Sequence, residues 1–168
     1  MEFDLTKFAE LYAKAEGAIK DSEIQTGELL IPAINQLRYA GHHVAKAWLL
    51  RENGSTDQSM IELELKKASN HCRRSYFDAK EAVMLERLEV IDSFFKDYYK
   101  SEFLVGEMPD WSDHYERARN FKQEVRRIRS SVYEDRTEMF DKIDPLVVSL
   151  GDICSKITLI GPRIAERE

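Results

Sequence analysis

Four histidines, His42, His43, His71 and His114, are the first residues in this sequence that could do chemistry. Imidazole is a common metal ligand, so the first question is whether any of them has a ligating neighbour at the right spacing. Helical di-metal sites use glutamate three residues before histidine. Here those positions hold Tyr39, Ala40, Ala68 and Trp111, and neither an HExxH run nor a Cys/His cluster occurs. No metal and no cofactor is expected. Taken singly, each histidine reads as a hydrogen-bonded or solvated side chain. One spacing differs: Arg38-Tyr39-Ala40-Gly41-His42-His43 places a histidine five residues after an arginine.

Two other groups could act at a surface. Arg119, Lys122, Arg126 and Arg129 recur at 3-4-3 spacing, and Tyr133 extends the line. One basic helix face of this kind can track phosphates, with arginine planes and a tyrosine stacking on bases. The same face reads equally as solvated, or as paired with acidic residues of another helix. Arg73-Arg74 beside His71 is a smaller phosphate candidate. Phe94, Phe95, Tyr98, Tyr99 and Phe103 crowd one stretch, with Trp111 beyond it. They read as the distal core of a helical hairpin, and Phe95, Tyr98 and Trp111 as an oligomer interface if that hairpin projects.

The Arg38/His43 spacing, with Asn35-Gln36-Leu37-Arg38-Tyr39-Ala40 before it and His43-Val44-Ala45-Lys46-Ala47 after it, resembles the HEPN superfamily of small helical bundles. His71-Cys72-Arg73-Arg74-Ser75-Tyr76-Phe77-Asp78-Ala79 carries the likeness on, so that it covers residues 26–100. Ribonuclease members of that family carry arginine, four to six residues, then histidine. The resemblance implies a metal-independent RNA cleavage site made by Arg38 and His43 of two copies meeting at a dimer interface. Arginine would fork onto the phosphate, and histidine would move a proton at the 2′-hydroxyl or the leaving oxygen. It also implies a prokaryotic defence or toxin–antitoxin setting. Two features depart from the pattern. Tyr39 stands where active members often have a polar residue. Helix positions five apart diverge by about 140°, so Arg38 must bend back to reach His43. His42 shares Arg38's face better, and His71 is a further alternate.

These residues need long helices to hold them. The chain has 168 residues, 43% hydrophobic, with only 7 Gly and 4 Pro, enough core for one domain and too few turns for a β fold. Apolar residues recur at helical spacing in five segments, 5–21, 28–52, 57–103, 112–141 and 145–160, with a frayed tail at 163–168. Asp4 and Ser55 read as N-caps, the latter as a capping box with Gln58. The second seam runs Leu30, Ile34, Leu37, Gly41, Val44, Trp48, its glycine implying a close helix approach. The third runs Ile61 to Val83 and resets by one residue at Met84, so it is one long helix that changes partner or two with a bend. The last helix ends at Gly161-Pro162. The expectation is an all-α bundle of long antiparallel helices, with a hairpin that could project.

Net charge is −6, which disfavours bulk nucleic-acid binding, although residues 115–129 hold six basic and two acidic side chains. Two unpaired cysteines, Cys72 and Cys154, fit a reduced compartment. No signal sequence and no membrane-length apolar run is read, so a cytoplasmic chain is expected. Three functions remain open: a helical interaction module, homodimeric or part of a larger assembly with a protein partner; a metal-independent endoribonuclease using Arg38 and His43; and an acidic scaffold with no nucleic-acid role.

Overall fold

The computed structural model describes residues 5–53, 57–130 and 143–168, with only the backbone described at 128–130. Among these residues the chain is all-α, as expected, without a strand. Its helices are α1 (Leu5–Thr26), α2 (Ile31–Glu52), α3 (Gln58–Tyr98), α4 (Leu104–Glu107), α5 (Trp111–Ser130) and α6 (Ile143–Ala165). Gly27, at a φ of 70°, makes the turn from α1 to α2. That conformation strains any residue with a Cβ, so the glycine marks the junction as its sequence position implied.

The spine is α3, 41 residues without interruption through Val83. Its N-cap is Asp57, whose carboxylate accepts from the backbone N–H of Ser59 and Met60; Ser55 and Asp4 lie outside the described residues. The partners of α3 change along its length. Along its first half, α3 meets α2 through Ser75–Ala33, His71–Gln36 and His43–Glu64. These contacts run in opposite order along the two helices, which makes the pair antiparallel. Beyond them α3 meets α1 and α6. Ser22 Oγ donates to the Ala79 carbonyl, Tyr76 Oη to the Asp144 carboxylate, and Arg87 to the Val147 carbonyl. The core follows that spine, with Cys72, Phe77, Met84, Ile91, Leu150, Ile153 and Ile164 all buried.

Several expectations change. In α2 the buried line is Ala33, Leu37, Ala40 and Ala47, while Ile34, Gly41 and Trp48 face solvent. The larger apolar residues predict the wrong face because α2 lies on α3 through small side chains. Gly41 is not at a close approach: a Cβ placed there would meet nothing within 4 Å. Helix α6 continues through Pro162 to Ala165. Fully buried Ile164 anchors that last turn, and Arg163 and Arg167 pair with Glu107. Tertiary contacts here outweigh the N–H that proline lacks. Between the predicted segments 57–103 and 112–141 the chain forms the short α4, and Trp111 opens α5. No helix among the described residues is long and apolar enough to cross a membrane.

Candidate functional site

The antiparallel pairing of α2 with α3 brings His43 and His71 together. Their rings lie nearly parallel, 5.2 Å between centroids at 13°. Each ring is fixed through Nδ1. His43 Nδ1 lies 2.7 Å from Glu64 Oε2, and His71 Nδ1 lies 2.7 Å from Gln36 Oε1. Glu64 is 3% exposed. Hydrogen bonds from Lys67, His43 and Lys46, and the charge of Lys46, outweigh the cost of burying it and bring its carboxyl down to about 2. It is therefore ionised near neutral pH and can only accept. The proton of the His43–Glu64 bond accordingly sits on Nδ1, and Gln36 Oε1 orders His71 in the same way. Nε2 of each ring makes no hydrogen bond to the described residues and is left for solvent or a ligand.

Cations surround the pair. Lys67 Nζ is 2.8 Å and Lys46 Nζ 3.3 Å from Glu64 Oε1, so two lysines and an imidazole share one carboxylate. Burial, the charge of His43 and the charge of Arg74 hold the His71 pKa below its usual value. A proton on His43 therefore opposes one on His71, and near neutrality His71 is neutral. Tyr39 leans on His71 at 5.5 Å, and the Arg38 guanidinium lies over Tyr39 at 5.1 Å. A continuous row results: Arg38, Tyr39, His71, His43, Glu64.

That row adds to the sequence reading. Within one chain Tyr39 and His71 stand between Arg38 and His43. The partner of His43 is His71, one of the alternates. His42 touches only the edge of His43, at 5.5 Å, and is exposed. His114 is buried far along the chain, its Nε2 beside Asp110 and Lys156 where α5 starts on α6. Glu64, Gln36, Lys46 and Lys67 were missed. Glu64 did leave a signal: it stands three after Ile61 and four before Ala68, a carboxylate on an apolar seam. No group of three or more His, Cys, Asp or Glu among the described residues could hold a metal ion.

The other candidates fare differently. On α5, Lys122 is paired with Asp92. Arg126 lines a cleft of about 330 Å³ together with Glu89 and Asp92, and Arg119 lines an adjoining cleft, also beside Asp92. Of the stripe, Lys122 is thus shown paired with an acidic residue of α3. The side chain of Arg129, and Tyr133, lie outside the described residues. Phe95 is 3% exposed, covered by Phe94, Trp111 and Tyr115 of its own chain. It is core and not a free interface. Tyr98 and Trp111 pack on the same cluster and are half-buried. Cys72 is buried and its thiol is pushed up to about 11 by that burial, so it is inert packing. The chain matches no protein-family model, no curated protein and no solved structure.

Proposed function

We propose that this chain is a helical interaction module whose α2–α3 hairpin grips the phosphate backbone of RNA and cleaves it without a metal. One observation carries the reading: two imidazoles stack at 5.2 Å, each fixed at Nδ1, beside a buried carboxylate that Lys46 and Lys67 share. Two lysines on one carboxylate leave positive charge that an anion could meet. In the reaction, neutral His71 takes the proton of a 2′-hydroxyl through Nε2. The 2′-oxygen attacks phosphorus, the bond to the 5′-oxygen breaks, and protonated His43 gives that oxygen its proton. The products are a 2′,3′-cyclic phosphate and a 5′-hydroxyl. Arg38, at the end of the row, holds a neighbouring phosphate rather than the scissile one. A cytoplasmic place in a prokaryotic defence or toxin–antitoxin assembly follows from the HEPN resemblance and belongs to the same proposal.

The test is incubation of the wild-type chain with single-stranded RNA in EDTA. Cleavage to cyclic-phosphate ends is expected, with His43→Ala and His71→Ala each lowering the rate by about 10²–10⁴. RNA binding without cleavage would leave an interaction module whose imidazoles only fasten α2 to α3. Neither binding nor cleavage would overturn the reading and favour the acidic scaffold.

A further inference from the structure

A cleft of about 640 Å³ lies between the start of α2 and the middle of α3, and the imidazole site takes only Gln36 from it. Its volume falls in the range of small-molecule sites. Ile31 of α2 and Leu85 of α3 line it and are 55% and 37% exposed, so apolar surface there is left to solvent. Asp78 and Glu81 of α3 add carboxylates, and Asn35 of α2 adds an amide. Apolar walls carrying a few polar groups are the make-up of a ligand pocket.

Two observations tie the cleft to the imidazoles. Gln36, whose Oε1 lies 2.7 Å from His71 Nδ1, also lines the cleft. Asp78 follows His71 by seven residues on α3, nearly two full turns and about 10 Å along one face. A phosphate held at the imidazoles therefore has the cleft within reach of a base on the same nucleotide.

We propose that the cleft receives the base of the nucleotide whose 2′-hydroxyl His71 deprotonates, and that it selects guanine. This rests on the cleavage reading above. An ionised carboxylate only accepts, with room for about four hydrogen bonds, so it can take a base edge alongside a partner in its own chain. Guanine presents two donors side by side on its pairing edge, N1–H and the N2 amino group. Asp78 and Glu81 stand three residues apart on one helix face, so that edge meets acceptors across its width. Uracil offers a single donor between two carbonyl oxygens, which the acids repel. Ile31 and Leu85 cover the faces of the ring, as apolar side chains do for a base held out of its stack. Cleavage therefore falls on the 3′ side of guanosine.

Two experiments test the pocket. Oligoribonucleotides with one guanosine among uridines are incubated with the full chain in EDTA, and the ends are read by mass spectrometry. Cutting after guanosine should be about tenfold or more faster than after uridine, and Glu81→Gln and Asp78→Asn should each lower that ratio. Separately, 3′-GMP and 3′-UMP are titrated into the chain by NMR. 3′-GMP should bind more tightly and shift Ile31, Asn35 and Leu85, and Leu85→Ala should weaken it with helical circular dichroism unchanged. RNA left uncut strikes the cleavage reading, and the titration alone then decides the pocket. Cutting without regard to base overturns the pocket and leaves the imidazole reading intact. Equal binding of the two nucleotides, or a guanosine preference that both acid variants retain, overturns it as well.

Discussion

Glu64 is the residue on which the imidazole pair depends, because it fixes the His43 tautomer and anchors Lys46 and Lys67 from inside the α2–α3 contact. Replacing a buried ionised acceptor leaves its donors short of partners, so Glu64→Gln should destabilise the chain by about 1–3 kcal/mol. The pH dependence has a defined sign. The folded carboxyl lies near 2, against an ordinary 4.5, so its contribution is complete above 4.5 and falls away as pH drops toward 2. Chemical denaturation from pH 6 to 2 should show the wild type losing its advantage over Glu64→Gln across that window. A constant difference would mean that Glu64 is not held ionised by the fold.

The α2–α3 pairing does at the level of helices what Glu64 does for one ring: it sets the register that stacks His43 on His71. Ser75, fully buried on α3, holds that register by donating from Oγ to the Ala33 carbonyl at 2.8 Å. Ser75→Ala should cost about 1 kcal/mol and lower the melting temperature by roughly 2–4 °C. No change in thermal unfolding would remove Ser75 as a fastening point. Helices were legible in the sequence because apolar spacing reports on local structure. Much of the α3 seam was legible too, with Ile61, Ala68, Cys72, Val83, Met84 and Ile91 all buried. The buried face of α2 was not, because Ala33, Ala40 and Ala47 carry little hydrophobic signal while exposed Ile34 and Trp48 carry much. Of the imidazole pair, spacing to Arg38 singled out His43, whereas its stacking on His71 and its bond to Glu64 depend on α3 packing. Pro162 misled for the same reason, its helix being continued by Ile164 in the core.

Across the whole molecule, two basic regions compete for an anionic ligand in a chain of net charge −6. On α5 Lys122 is paired with Asp92 of α3, and Arg119 and Arg126 line clefts that Asp92 also lines. At α2–α3 Lys46 and Lys67 share the one buried carboxylate of Glu64, so two cations face one acid there. Nucleic acid should therefore choose the hairpin, with an affinity that falls as salt rises. The direct measurement is chemical-shift mapping by NMR as single-stranded RNA is added to His43→Ala protein, which should bind without cutting. The account predicts the largest shifts at Arg38, Lys46, Lys67, His71 and Arg74, with α5 nearly silent. Shifts centred on Arg119 and Arg126, with the hairpin silent, would contradict it.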